Sequence, residues 1–266
     1  MKKYLALLLA LAVIVGGFAG CQGGSGGTSG SEEAGGKLII GLDDTFAPMG
    51  FRDEAGELVG FDIDLATAMG EAIGMEIVFQ PIDWDAKEME LEAKKIDCIW
   101  NGMSRTPQRE ESMTLSQSYL DNKIIVMTLP DVEITSKEQL ADYQIGTQAK
   151  SAALEVLQAD DIYATIQDNV SEYRTYDECI LDMQAGRIQV MIVDEVLGQY
   201  KNNNLSPKFN VSSVDFGEDL YTIGFRKGDT ALCSQVEQGL KAVIESGKGK
   251  EISEKWFGAD LLLPIK

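Results

Sequence analysis

From residue 37 onward, short apolar runs of strand length alternate with amphipathic stretches of helical period. Residues 37–42, Lys-Leu-Ile-Ile-Gly-Leu, read as a strand, and 43–51, holding Pro48 and Gly50, as a loop. Between Asp62 and Ile73 the apolar positions recur with a helical period that stops at Gly74; residues 75–79 are strand-like again. Residues 85–95 make a charged amphipathic helix. It leads into an apolar run at 96–100 that breaks at Asn101-Gly102. Strand, helix, strand, helix, strand predicts a parallel sheet with right-handed crossovers. Ligands of such sheets lie beyond the carboxyl ends of the strands, where Asp43, Asn101 and Gly102 fall.

A second region repeats the plan. Residues 144–147 form a short strand and Ser151 opens a helix running to Leu157. Residues 178–185 form a helix ending at Gly186, and the strand 187–193 runs into Asp194. Lys-Ile-Asp-Cys-Ile-Trp at 95–100 and Arg-Ile-Gln-Val-Met-Ile at 187–192 hold equivalent places, so two similar α/β lobes face each other.

Candidate chemistry centres on one residue from each lobe. Thr106 followed by Pro107 reads as N-cap and first helical position, which puts Arg109 in the first turn of a helix. A cation there opposes the helix dipole, and a bound anion would offset it. The competing reading is a surface Arg paired with Glu110 or Glu111. Asp194 either binds a cation or caps a helix starting near Val196. A cation and an anion across a cleft match the two charged ends of a free amino acid.

The N-terminus changes the setting. Lys2 and Lys3 precede an apolar run from Leu5 to Phe18, then Ala19, Gly20 and Cys21. Residues 1–20 read as a secretory signal, too short to span a bilayer. Phe-Ala-Gly-Cys resembles a bacterial lipoprotein cleavage box, which implies lipid on Cys21, followed by a flexible Gly/Ser tether to residue 36. The expectation is an extracytoplasmic protein held by lipid on the outer face of the cell membrane. Net charge is −20, and −22 without Lys2 and Lys3, which argues against nucleic acid as partner. The absence of histidine excludes His-dependent triads and His metal sites. Cys98, Cys179 and Cys233 lie in apolar-patterned elements without metal-like spacing and read as small buried hydrophobes. No catalytic residue, metal or cofactor is expected.

The motifs Gly-Leu-Asp-Asp-Thr-Phe-Ala-Pro-Met-Gly-Phe, Gly-Phe-Asp-Ile-Asp-Leu-Ala, Lys-Lys-Ile-Asp, Gly-Met-Ser-Arg-Thr-Pro-Gln-Arg and the closing Lys-Trp-Phe-Gly occur in order between residues 41 and 258. In these the chain resembles the solute-binding proteins of polar amino-acid ABC importers, over residues 37–260. The resemblance implies a two-lobed type II periplasmic-binding-protein fold, each lobe a mostly parallel sheet flanked by helices. Lobe 1 would comprise 37–122 and 218–266 and lobe 2 residues 123–217, joined by hinge strands near 120–126 and 215–221.

It further implies that the ligand carboxylate meets the backbone N–H of Gly102, the hydroxyl of Ser104 and the guanidinium of Arg109, and that Asp194 holds the ammonium. Ser151 opens the second-lobe helix after Lys150, where the family usually has glycine. Asp43 and Phe46 map to the side-chain pocket and Trp84 covers the ligand; Met103 and Gln148 adjoin these motifs and complete the contact set. Bland readings stand beside these: an Asx-turn for Asp43, core packing for Phe46, Trp84, Trp100 and Trp256, and dipole partners for Asp62 and Asp64. The implied function is capture of a polar, non-acidic free amino acid (glutamine, a basic residue or cystine) and its delivery to an ABC permease. A same-fold dehydratase or lyase, with Asp43 or Asp44 as acid or base, and an extracellular sensor domain are the alternatives.

Overall fold

The computed structural model describes residues 36–266; the expected signal, Cys21 and nearly all of the tether lie outside the described residues. β1 (Lys37–Leu42) buries Leu38, Ile40 and Leu42. The stretch expected as a loop instead contains β2 (Thr45–Phe46) and β3 (Gly50–Arg52), which join β4 (Leu58–Val59) in a small antiparallel sheet. α1 (Phe61–Ile73) stops at Gly74, whose φ of 69° closes the helix in the left-handed conformation. β5 (Glu76–Pro81) then pairs parallel with β1.

A single 3₁₀ turn at Trp84–Ala86 precedes α2 (Lys87–Glu92). This helix is shorter than the periodicity predicts, because Lys94 takes a left-handed φ of 58° and turns the chain toward the sheet. β6 (Cys98–Ser104) is buried throughout. α3 (Pro107–Ser112) starts as read, with the Thr106 hydroxyl accepting from the Arg109 N–H at 3.3 Å and proline at the first position. β7 (Met113–Leu115) and β8 (Leu120–Thr128) follow.

The second half contains β9 (Ile145–Gln148), α4 (Ala152–Ala159), α5 (Tyr163–Ile166), β10 (Val170–Tyr173) and α6 (Tyr176–Gln184). β11 (Val190–Asp194), α7 (Glu195–Asn203), the long β12 (Asn210–Arg226), α8 (Thr230–Glu245) and α9 (Lys248–Phe257) complete the chain. One sheet runs in the order β10-β9-β11-β8-β12-β6-β1-β5. β5-β1-β6 and β10-β9-β11 are parallel blocks, and the antiparallel pair β8 and β12 joins them. These are the two expected crossing strands, in register at Leu120 and Tyr221.

β6 does not break at Asn101-Gly102. β12 pairs Tyr221 with Ser104 and Thr222 with Met103, giving the strand a partner that local sequence does not reveal. Alternation along β8 serves both faces of the sheet: Ile125 and Met127 join one core with Leu38, Phe61 and Val193, while Ile124 and Val126 join another with Ile145 and Ile192. Cys98, Cys179 and Cys233 are buried and unbridged. No helix of the described residues is long and apolar enough to cross a membrane.

Candidate functional site

The carboxyl ends of β1, β6, β9 and β11 converge, and the residues following them meet between the two halves. Asp43, just past β1, is buried. Its Oδ1 accepts from the N–H and hydroxyl of Thr45 at 2.9 and 2.7 Å, so the Asx-turn is real. Its Oδ2 accepts from Gln148 Nε2 at 2.8 Å, reaching across from β9. Burial pushes the Asp43 carboxyl up, opposed by the bonds from Thr45 and Gln148. Phe46 lies against Tyr176 of α6, ring centroids 6.1 Å apart.

Arg109 is 2% exposed. It is not paired with Glu110 or Glu111: Nη2 donates to Glu155 Oε1 of α4 at 3.0 Å and Nη1 to the Ser104 carbonyl at 2.9 Å, while Glu110 takes Arg105. Arg105, whose second donor goes to the Ser116 carbonyl, lines a cavity together with Asn122 and Asp219. Arg109 Nε and the Tyr176 hydroxyl are buried without a hydrogen-bond partner among the described residues. Buried donors of that kind are costly unless something completes them.

Lys150, where a glycine was expected, takes a φ of 52°, so lysine keeps the left-handed turn. Its carbonyl is drawn to the opposite half by Lys87 Nζ at 3.1 Å and Arg109 Nη2 at 3.4 Å. Lys87 is itself buried, with its ammonium 4.8 Å from the centroid of the Trp84 ring. Burial, then the charge of Arg109, push its pKa down to about 8 against the pull of Glu88. Ser151 caps α4 by accepting from the Leu154 N–H at 3.1 Å, and its hydroxyl lies 3.5 Å from that of Thr147, whose own hydrogen goes to the Ile192 carbonyl.

Two donors expected at a ligand carboxylate are committed elsewhere. The Gly102 N–H donates to Asp62 Oδ2 at 2.6 Å, and the Ser104 hydroxyl donates to Asp219 Oδ2 at 2.7 Å. Met103 faces the core with Trp84, Leu91 and Ile99. Gly102 needs its glycine: φ is 57°, and a Cβ would meet Met49, Phe46 and Tyr221 atoms at 3.0 Å each. Asp62 lies in the first turn of α1, as read, and is in addition a fully buried acceptor that also receives the Tyr119 hydroxyl at 2.9 Å; burial pushes its pKa up to about 7. Asp64 receives Lys255 and the Trp256 indole N–H.

Asp194 does not cap α7. Its side chain makes no capping bond, and the Val196 N–H goes to Asn122 Oδ1 instead. Asp194 Oδ1 accepts from Asn122 Nδ2 at 2.9 Å and from the Tyr221 hydroxyl at 3.0 Å. Burial and the neighbouring Asp219 push its pKa up to about 7. Asp219, Asn122, Tyr221 and Glu155 escaped the sequence reading; only the Asp219–Tyr221 spacing, two apart on one strand face, hints at a shared role. On the outer side of Asp43, a cavity of about 230 Å³ is lined by Asp43, Asp44, Asp83, Trp84, Arg174 and Thr175 among others. Arg174 thus brings a basic group to a pocket for which none was expected.

Bacterial extracellular solute-binding proteins, family 3, match residues 38–259. The chain belongs to this family. Among family relatives, the arginine-binding extracellular protein ArtP of Bacillus subtilis is 27% identical over 97% of this chain and 98% of its own length. The L-cystine-binding protein TcyJ of Escherichia coli is 25% identical over 85% and 84%. A solved ABC uptake transporter substrate binding protein from Streptococcus pneumoniae, with bound histidine, superposes with a TM-score of 0.79 and 35% identity, covering 85% of this chain and 94% of its own. All three are described as binding proteins, and the two-lobed α/β fold is the fold of this family 3 chain.

Proposed function

We propose that this protein captures a free, polar, non-acidic amino acid between its two lobes, prefers a cationic side chain, and hands it to the membrane subunits of an ABC importer. Arg109 takes the carboxylate with its uncompleted Nε facing the ligand, and Asp194 takes the ammonium. The observation that carries the side-chain preference is Asp43. Asp44 has Arg52 at 2.6 Å and Asp83 has Arg174 at 3.2 Å, whereas Asp43 is buried and bonded only by the neutral donors of Thr45 and Gln148. A ligand cation would give that carboxylate the partner it lacks. Phe46, Tyr176 and Trp84 supply the aromatic walls, and Gly102, Met103 and Ser104 form the end of β6 that leads to Arg109.

Residues 37–122 with 218–266 and residues 123–217 act as lobes that close over the ligand about β8 and β12. The cross-lobe bonds of Gln148, Arg109 and Lys87 belong to the closed form that a permease recognises. Several charge-assisted bonds of about 1.5–3 kcal/mol each support micromolar or tighter binding, about −8 kcal/mol or better. Lipid on Cys21 would hold the protein at the outer face of the membrane.

Calorimetric titration of the purified protein with L-arginine, L-lysine, L-histidine, L-glutamine, L-cystine and L-glutamate tests this. Binding of arginine or another basic amino acid is expected, and Arg109→Ala should lose the ligand-induced rise in Tm while keeping the fold. Tight glutamate binding with no response to the other five would overturn the reading.

A further inference from the structure

The hinge strand β12 places a second carboxylate beside the expected ammonium site. Asn122 Nδ2 donates at once to Asp194 Oδ1, at 2.9 Å, and to Asp219 Oδ2, at 2.8 Å. The two acidic groups therefore lie no further apart than those two bonds laid end to end. Asp194 is 2% and Asp219 9% exposed, and neither has a cationic side chain within ion-pair distance among the described residues. Side-chain donors reach only Oδ1 of Asp194 and only Oδ2 of Asp219. The buried, uncompleted hydroxyl of Tyr176 lies close enough to Asp194 for that carboxylate to oppose its ionisation.

We propose that Asp219 is a second carboxylate for the ligand's amino group, and that the Asp194–Asp219 pair holds one proton which it releases when an ammonium binds. This rests on the amino-acid reading above. Two buried carboxylates on one donor cannot both ionise cheaply, so they share a proton. The incoming R–NH₃⁺ replaces that proton as counter-charge, and the proton passes to solvent. Both carboxyls are pushed up, by burial first and, at Asp194, next by its neighbour. The charged and titratable groups facing the pair are Arg109 from α3, whose charge favours ionisation of both, Tyr176 from α6 and Tyr221 on β12. Arg105, Asp121, Lys123, Glu195 and Glu218 face it across an adjoining cavity of about 540 Å³, the two cations favouring ionisation of the pair and the three carboxylates opposing it.

The test is titration of the purified protein with L-arginine in two buffers of different ionisation enthalpy. At pH 6 about one proton should be released per arginine bound, falling to none by pH 8.5, and Kd should weaken about tenfold per pH unit below pH 7. Asp219→Asn should weaken binding at pH 8 about tenfold and move the fall in affinity to lower pH, a shift that a purely structural role would not produce. Arginine binding without proton release, or an unchanged pH profile in Asp219→Asn, overturns the proposal alone. Failure of arginine and every other amino acid to bind overturns the amino-acid reading and this inference with it.

Discussion

Asp62 carries the most quantifiable consequence of the fold. Its carboxylate, on the first turn of α1, is fully buried, accepts from the Gly102 N–H at 2.6 Å and from the Tyr119 hydroxyl, and burial moves it from 3.8 to about 7. The folded state therefore holds a proton between these values that the unfolded chain does not. A raised folded-state pKa contributes stability that is complete below the unfolded value and is lost as pH rises through the folded one. From pH 5 to pH 7 each such group removes about 1.4 kcal/mol per unit, or ~3 kcal/mol in all. Asp194, also pushed up to about 7, acts with the same sign. Lys87, pushed down to about 8, costs a constant amount below that value and makes stability pH-dependent only from there upward, so it adds no slope in this window.

Ligand-free protein should thus lose stability from pH 5 to pH 7, the reverse of ordinary acid denaturation. Asp62→Asn keeps the shape: its carbonyl can accept from Gly102, its amide can donate to Tyr119, and it does not titrate. Urea denaturation at pH 5, 6, 7 and 8 should give the variant a pH slope shallower by the Asp62 share. The variant should match wild type at pH 5 and exceed it at pH 8. Equal slopes in the two proteins, or wild-type stability rising between pH 5 and pH 7, would refute the assignment.

Glu155 holds Arg109 at 3.0 Å, where the ligand carboxylate must compete with it. Glu155→Ala should lower the ligand-free Tm, removing a charge-assisted bond of about 1–2 kcal/mol, and tighten L-arginine binding about tenfold; weaker binding by calorimetry would mean that Glu155 touches the ligand. Gly102→Ala should destabilise by about 1–3 kcal/mol in urea, because a Cβ at φ 57° crowds Phe46, Met49 and Tyr221, and an unchanged denaturation midpoint would contradict that packing.

Local signals were legible wherever a group finds its partner within a few residues. The stop of α1 at Gly74, the Thr106-Pro107 start of α3 and the Ser151 cap of α4 all depend on bonds spanning four residues or fewer, or on the conformational limits of one residue type. That Arg109 and Asp194 stand out as candidate charges follows from such positions. Their partners do not: Arg109 meets Glu155 across 46 residues, Asp194 meets Asn122 across 72, and Ser104 meets Asp219 across 115. β6 runs on through Asn101-Gly102 because β12 returns to pair with it, which no window around residue 101 contains. Sequence by itself determined which residues carry charge at the ends of strands. Tertiary structure alone decided which donor each would bond and how far burial would move its proton, because desolvation and long-range hydrogen bonding are properties of the assembled chain.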